Sequence, residues 1–335
     1  MRSPVNNSKR NLIFVAILLA LLLLPLKGSL SDLQALPESF FGRKQLITWT
    51  ARLRYRLLDD QLFNHVLRSD EGWLVYSDEH NLADYQKSDV FTEAQLAQIQ
   101  TNLTTLQQQL AQEGIRLYVI IPPNKDSIYP EKVPAEIPVI GSQSRLEQLV
   151  SYLQPQDGFP MLDLRPALLA ARQHDPVYYA TDTHWNATGS YVAYRQIADL
   201  LAKDFPMIIP HDLSEYQQAS QTYSGDLNRI AGDLGLSEQI ITLNPTFSQQ
   251  VTQTETVEND IKILITETSD PNLPRAVIFR DSFFESIIPS LSTHFSRSVN
   301  VWSFAYDPQL VAREKPDLVI FECTERYLQF LLYLP

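Results

Sequence analysis

Two short fragments of the chain carry the residue types of an activated serine nucleophile: Asp182-Thr-His-Trp185 and Arg280-Asp-Ser-Phe283. Asp182 and His184 are two residues apart, so on an extended stretch both side chains point to the same side. The carboxylate can then orient the imidazole through its Nδ1 hydrogen. Ser282 adds the hydroxyl, and the two fragments together supply the acid, the base and the nucleophile of a catalytic triad.

The surroundings of Ser282 predict a turn between a strand and a helix. Residues 275–279 form a short apolar run typical of a buried strand, and apolar residues recur at helical spacing over 283–295. The first turn of a helix presents unpaired backbone N–H groups that can stabilise an oxyanion beside the attacking oxygen. The alternative is that Ser282 or Asp281 is simply a helix N-cap.

The first 31 residues have the composition of a targeting segment. They contain basic residues, no acidic ones, and the apolar run Leu12–Leu26. That run makes about 22 Å of helix, short of the roughly 30 Å hydrocarbon core, so either a cleaved signal peptide or a short membrane anchor over 12–26 fits it. In both cases we expect residues 32–335, taken as one catalytic domain, to be extracytoplasmic, in the periplasm or at the outer face of the cytoplasmic membrane.

Charge and composition exclude several classes of function. The formal net charge is −12 although the leader is basic, so the exported part is strongly acidic and nucleic acid is a poor partner. The same field favours a neutral or only locally contacted glycan over a polyanion. The histidines lack metal-ligand spacing and no phosphate-binding glycine loop is present, so we predict no metal and no cofactor. The single cysteine, Cys323, lies in an apolar run and is interpreted as a buried packing thiol.

Alternating strand and helix patterns predict an α/β fold: a doubly wound, mostly parallel sheet with helices on both faces. An N-terminal helix and hairpin precede it, and a region around 205–273 that reads poorly is interpreted as an insertion. A capping box at Thr92 starts a long helix that ends at Gly114. The remaining predicted elements are a helix over Gly42–Leu58, strands Phe63–Leu67, Trp73–Tyr76, Ile115–Ile121, Pro160–Leu164, Val299–Phe304 and Asp317–Glu322, and helices Ser142–Leu153, Pro166–Arg172, Gly189–Lys203, Phe283–Phe295 and Pro308–Arg313.

Several motifs together resemble the alginate-type polysaccharide O-acetyltransferases, whose catalytic domains are SGNH-hydrolase-like and which are periplasmic or membrane-anchored. The matching segments are Gly72-Trp-Leu-Val-Tyr76, Ile121-Pro-Pro-Asn-Lys125 with Tyr129-Pro-Glu131, Asp182-Thr-His-Trp185 with Gly189, Asp281-Ser-Phe283, and 315–322 with Glu325-Arg326. The resemblance covers most of residues 32–335. It implies an SGNH-hydrolase-like fold with Ser282 as nucleophile, His184 as general base and Asp182 as its orienting acid.

Several residues in or near these motifs are candidates to contact the substrate. The family usually has glycine where this chain has Arg280, whose guanidinium could either crowd the nucleophile turn or bind acetyl or sugar oxygens. Trp185 and Tyr129 are candidates to stack on a sugar ring. Lys125 and Ser224, with Asn124 and Gly225, are candidates near the oxyanion, although all of them also suit simple packing or loop roles. The partners implied are a polysaccharide acceptor and a membrane-bound O-acyltransferase as the acetyl source.

Three functions are compatible with these residues. The first is acetyl transfer to an exported or cell-surface polysaccharide through an acetyl-serine intermediate. The second is a carbohydrate esterase, in which water replaces the sugar as acceptor. The third is a non-catalytic subunit that binds polysaccharide or scaffolds an export complex, and Arg280 beside the nucleophile is the feature that keeps it open.

Overall fold

The computed structural model describes residues 43–58, 61–153, 161–247, 251–258 and 260–335. The predicted leader lies outside these residues. Within them the α-helices are α1 Arg43–Leu53, α2 Asn81–Gln86, α3 Glu93–Gln112, α4 Lys125–Ile128, α5 Arg145–Leu153, α6 Arg165–Ala171, α7 Ala187–Leu201, α8 Asp226–Ile230, α9 Ile288–Leu291 and α10 Pro308–Glu314. None of the helices in these ranges is both long and apolar enough to cross a bilayer.

The strands form three sheets. They are β1 Leu62–Phe63, β2 Val66–Arg68, β3 Leu74–Tyr76, β4 Arg116–Ile121, β5 Met161–Asp163, β6 Tyr216–Tyr223, β7 Glu238–Pro245, β8 Thr252–Glu258, β9 Ile261–Glu267, β10 Arg275–Arg280, β11 Arg297–Trp302 and β12 Leu318–Glu322. The main sheet has seven strands in the order β5-β4-β12-β10-β11-β9-β8. Its first five are parallel, and β9 and β8 add two antiparallel strands at the β11 side.

The central strands β4, β12 and β10 of the main sheet are buried on both faces, which explains their nearly continuous apolar sequences. Side chains such as Val119, Phe279 and Phe321 face one core, which is covered by α3, α5 and α10. The alternate residues, such as Ile120 and Ile278, face a second core covered by α6, α7 and α9. The predicted α/β fold, with a mostly parallel sheet and helices on both faces, is confirmed.

Local signals gave most element boundaries. Thr92 closes the predicted capping box with Gln95 and starts α3, and Gly114 after its end has φ +77°, the left-handed conformation that glycine favours. Cys323 is fully buried in the core, as expected.

Two predicted elements are corrected. The strand Phe63–Leu67 is two short strands, because the chain turns at His65 with φ +51°, and β1, β2 and β3 form a three-stranded sheet. The predicted helix Phe283–Phe295 is broken into a 3₁₀ turn at Phe283–Ser286, α9, and a second 3₁₀ turn at Ser292–His294. Pro289 lacks the N–H that a continuous α-helix would need there.

The poorly readable region around 205–273 contributes strands to two places. β6 and β7 pair as a separate antiparallel hairpin, and α8 lies between them in sequence. β8 and β9 join the main sheet beside β11. Both parts flank the carboxyl ends of the parallel strands, where ligands gather in open α/β sheets.

Candidate active site

The loop that carries Asp182 and His184 is anchored by contacts from distant elements. Glu238, the first residue of β7, accepts hydrogen bonds from the backbone N–H of Ala180 (3.0 Å) and of Thr181 (2.8 Å). On its other side the buried Lys125 ammonium donates to the carbonyl oxygen of Asp182 at 2.7 Å. The loop is therefore fixed before any substrate binds.

The predicted triad residues meet in a continuous chain of hydrogen bonds. His184 Nε2 lies 2.8 Å from Ser282 Oγ, and His184 Nδ1 lies 2.6 Å from Asp182 Oδ1. The expected extended stretch is not what brings acid and imidazole together: residues 180–184 are bends, and Asp182 Oδ1 also accepts the backbone N–H of His184 at 2.9 Å. This local turn is typical of aspartate, and it places the Asp182 carboxylate beside the His184 ring.

The second oxygen of Asp182 is held just as firmly. It accepts the Tyr223 hydroxyl at 2.6 Å and the backbone N–H of Asp226 at 2.8 Å. Burial alone would raise the pKa of Asp182, but the hydrogen bonds from His184 and Tyr223 outweigh it and hold that pKa below its usual range. Asp182 therefore stays ionised and can stabilise a protonated imidazole.

The turn that carries Ser282, the predicted nucleophile, is fixed by the neighbouring Asp281. One carboxylate oxygen accepts the N–H of Phe283 at 2.8 Å, and the other accepts the N–H and the hydroxyl of Thr324 at 2.9 and 2.7 Å. Asp281 thus holds the first turn after β10, whereas the Ser282 hydroxyl points to His184. The ring of Phe283 packs against the imidazole with centroids 4.8 Å apart. The N-cap alternative therefore describes Asp281, not the Ser282 side chain.

The predicted triad residues Asp182, His184 and Ser282 open into a pocket of ≈ 410 Å³. Its walls come from the catalytic loop, the start of α7, the β6–β7 hairpin and the turn after Ser282, and the residues that line it include Tyr179, Trp185, Tyr191, Tyr216, Tyr223, Leu243, Glu285 and Ser290. A pocket with aromatic walls and a few convergent polar groups is typical of a small-molecule or sugar site.

Four of the five predicted substrate-contacting residues, Lys125, Tyr129, Ser224 and Arg280, are not among those lining the pocket. Lys125 is buried, and its ammonium is occupied by backbone carbonyls of residues 179, 180 and 182. Burial lowers its pKa to about 8. Tyr129 is buried between Trp73 and Tyr178 and accepts the Val177 N–H. Ser224 is exposed, and its hydroxyl accepts a hydrogen bond from Asn228.

Trp185 and Arg280 lie close to Ser282 in different ways. Trp185 lines the pocket, but it is only 2% exposed and its indole N–H donates to Ser286 Oγ at 2.8 Å. Its ring packs edge-on against Phe283, so it shapes the wall rather than offering a free face. Arg280 turns away from the pocket into a neighbouring cleft.

Tyr223 and Asp226 are functional candidates that the sequence did not single out. Both come from the poorly readable region, 41 and 44 residues after Asp182, and no local spacing connects them to the triad. The one signal was Gly225 between them. A Cβ there would lie 2.2 Å from the carbonyl oxygen of Thr181, so this close approach requires glycine.

Asp182, His184 and Asp226 are also the one group in the described residues whose ligand atoms, within 4.8 Å of one another, could share a metal ion. Their hydrogen bonds favour another use. His184 Nδ1 faces Asp182, and the Asp226 carboxylate accepts the N–H and the hydroxyl of Thr183 at 2.8 and 2.6 Å. Through these hydrogen bonds the three side chains orient one another and the loop that carries them.

Comparison with known proteins assigns the chain to a family. The model of a family described as "SGNH hydrolase-like domain, acetyltransferase AlgX" matches residues 66–275, more than half of the chain. The chain belongs to this family. The match contains Asp182 and His184 and ends before Ser282. It confirms the family that the sequence motifs indicated.

Curated relatives point to the same family. "Probable alginate O-acetylase AlgJ" of Pseudomonas syringae pv. tomato is 26% identical over 257 residues, which cover 74% of this chain and 59% of the relative. The protein of the same name from Pseudomonas fluorescens is 26% identical over 256 residues, covering 74% of this chain and 58% of the relative. The chain thus spans less than two thirds of the length of these relatives.

Solved structures share the fold. Bacillus cereus PatB1 superposes with a TM-score of 0.59 at 16% identity, over 79% of this chain and 98% of PatB1. A DHHW family protein from Eubacterium siraeum gives a TM-score of 0.54 at 16% identity, over 81% of this chain and 96% of that protein. At such low identity these similarities show the fold alone.

Proposed function

We propose that this protein is an O-acetyltransferase that acetylates a polysaccharide outside the cytoplasm through an acetyl-Ser282 intermediate. The observation that carries the proposal is the hydrogen-bonded chain from Ser282 through His184 to Asp182, which opens on a pocket large enough for an acetyl group and part of a sugar. The acetyltransferase family and the acidic, export-type sequence support it.

The first half-reaction loads the enzyme. His184 Nε2 accepts the Ser282 Oγ proton while Oγ bonds to the acetyl carbonyl carbon, and Asp182 stabilises the imidazolium. The tetrahedral intermediate collapses by breaking the bond to the donor's leaving group, which takes the proton from His184. The Ser282 backbone N–H, between β10 and the 3₁₀ turn, is the donor we assign to the oxyanion.

The second half-reaction transfers the acetyl group. A sugar hydroxyl enters the pocket, gives its proton to His184 Nε2 and bonds to the acetyl carbonyl carbon. Collapse breaks the ester bond to Ser282, and His184 returns the proton to Oγ. In this scheme a membrane-bound O-acyltransferase is the source of acetyl groups, and the leader brings the catalytic domain to it.

Replacing the nucleophile tests the function. Ser282→Ala is expected to lower acetylation of an oligosaccharide by at least about 10³-fold, because a triad without its serine keeps only residual catalysis. Ser286→Ala is the matched control: it removes another hydroxyl from the same pocket and is expected to keep the rate within about tenfold.

A time course with an acetyl-ester donor and a neutral oligosaccharide separates transfer from hydrolysis. The proposal predicts acetylated sugar in proportion to acceptor concentration. Free acetate as the sole product at every acceptor concentration would identify an esterase instead. Unchanged acetylation by Ser282→Ala would refute the assignment of the nucleophile.

A further inference from the structure

A second cleft, of ≈ 380 Å³, lies beside the nucleophile at the carboxyl ends of β10 and β11. Arg280 and Trp302 end these adjacent parallel strands and are direct neighbours in register. The opposite wall comes from the antiparallel strands β8 and β9, with Glu255 and Lys262. Glu285 lines both this cleft and the catalytic pocket, so the two spaces adjoin.

Trp302 is the aromatic surface of this cleft, and Arg280 fixes it. The Trp302 side chain is 40% exposed, in contrast to the buried Trp185 in the catalytic pocket. The Arg280 guanidinium lies 4.6 Å from the centre of the Trp302 ring, within cation–π range. Arg280 itself is 5% exposed and donates from Nη1 to the carbonyl oxygen of Asp281 at 3.1 Å. The guanidinium therefore braces the indole against the nucleophile turn.

The polar groups around the indole are balanced in charge. Lys262, exposed on β9, places its ammonium 5.9 Å from the Trp302 ring centre, and Arg280 adds a second positive charge. Glu255 and Glu285 supply two negative charges, the latter 3.9 Å from Arg280. The cleft thus offers hydrogen-bond donors and acceptors to hydroxyl groups without a net charge, in a chain whose formal charge is −12.

We infer that this cleft binds a neutral hexose unit of the acceptor chain, adjacent to the unit that receives the acetyl group. An amphipathic indole presents an apolar face to the C–H face of a sugar ring, and the flanking side chains bond its hydroxyls. This inference rests on the proposed function for its role in transfer. It gives Arg280 a positioning role, holding Trp302, and makes Trp302 a determinant of acceptor specificity.

Glycan binding by the full-length protein tests the inference without acetyl donor. Isothermal titration calorimetry would compare hexasaccharides of glucose, mannose, galactose and N-acetylglucosamine with a hexauronate. We expect at least one neutral oligomer to bind, more tightly than the hexauronate. Trp302→Ala should weaken that binding at least about tenfold, the size of one good aromatic contact.

Two variants control the experiment. Trp49→Ala removes an indole that is 77% exposed on α1, and its affinity should equal that of the wild type. Lys262→Ala changes an exposed side chain and should weaken binding a few-fold, so the inference does not depend on the folding of one variant. Neutral binding that survives Trp302→Ala, tighter binding of the hexauronate, or no binding of any neutral oligomer would overturn the inference.

A second readout keeps the two proposals apart. The burst of p-nitrophenol from p-nitrophenyl acetate reports acetylation of Ser282 in the wild-type protein and needs no acceptor. A wild-type protein that binds the neutral oligomer but shows no burst would contradict the proposed function, and the inference that the cleft binds a neutral hexose would stand. A normal burst with binding unaffected by Trp302→Ala would contradict the cleft alone.

Discussion

Asp182→Asn is the substitution whose consequence follows most directly from the hydrogen bonds. Each carboxylate oxygen of Asp182 accepts two donors: Oδ1 those of the His184 ring and backbone, Oδ2 those of Tyr223 and the Asp226 backbone. An asparagine amide has one oxygen and one NH₂ group. Whichever way it turns, its NH₂ group faces a backbone N–H that then has no acceptor.

The two orientations of the substituted amide differ in what they do to His184. If the NH₂ group faces the ring, Nδ1 must accept and the proton moves to Nε2, which can then no longer take the proton of Ser282. If it faces Tyr223 and Asp226, the imidazole keeps its tautomer but loses the negative charge that stabilises its protonated form. In a serine triad the corresponding change lowers kcat about 10⁴-fold, equivalent to about 5.5 kcal/mol of barrier. The unpaired N–H adds a stability loss of about 1–3 kcal/mol.

Burst kinetics with p-nitrophenyl acetate, combined with thermal unfolding, would measure both effects. Asp226→Asn is the matched control, since its carboxylate lies 3.7 Å from His184 Nδ1 and bonds Thr183 instead. We expect that control to stay within about tenfold of the wild-type rate. A burst rate of Asp182→Asn within tenfold of wild type, together with a collapse in Asp226→Asn, would show that the orienting acid has been misassigned.

Two further substitutions test how the catalytic loop is supported. Gly225→Ala should lower both the unfolding temperature and the burst rate, because its Cβ would lie 2.2 Å from Thr181 O and 2.6 Å from Asp182 Cβ, and overpacking of this kind costs about 1–3 kcal/mol; wild-type unfolding and kinetics in this variant would contradict the close approach. Lys125→Met tests the buried ammonium, whose pKa falls from 10.5 to about 8 on folding. Between those pH values the unfolded chain holds a proton that the folded chain has lost, so wild-type stability should rise with pH relative to Lys125→Met. Urea unfolding from pH 7 to 11 would measure this difference, and a constant difference would refute the shift.

The sequence predicted the parts of the fold that depend on local signals. The capping box at Thr92, the glycine at 114 and the apolar strand runs each act within a few residues, so helix α3 and the parallel strands could be placed. Asp182, His184 and Ser282 were singled out because their residue types suit a catalytic triad, and the structure places their side chains within hydrogen-bonding distance of one another. Whether the three side chains would meet depended on the order of the strands in the sheet, which no local spacing gives.

The supporting half of the site could not be predicted because its signals are not local. β6 is rich in polar and mostly exposed residues, so it lacks the alternation that identifies a strand. Tyr223, at its end, reaches Asp182 only through tertiary packing. Glu238 and Gly225 likewise act on residues distant in sequence. Glu238 accepts a hydrogen bond from the loop at Thr181, and Gly225 leaves room for the Thr181 carbonyl oxygen. The helix predicted over Phe283–Phe295 was too long, because the helical spacing of its apolar residues was given more weight than the break at Pro289.

In the proposed mechanism Ser282 carries the acetyl group from the donor to the sugar. Intact-mass and peptide mass spectrometry of the protein after brief exposure to an acetyl donor tests it most directly. We expect one added acetyl group on the peptide that contains Ser282, its loss when a neutral oligosaccharide is added, and none in Ser282→Ala. An acetyl group on another residue, with the oligosaccharide still acetylated by Ser282→Ala, would contradict it.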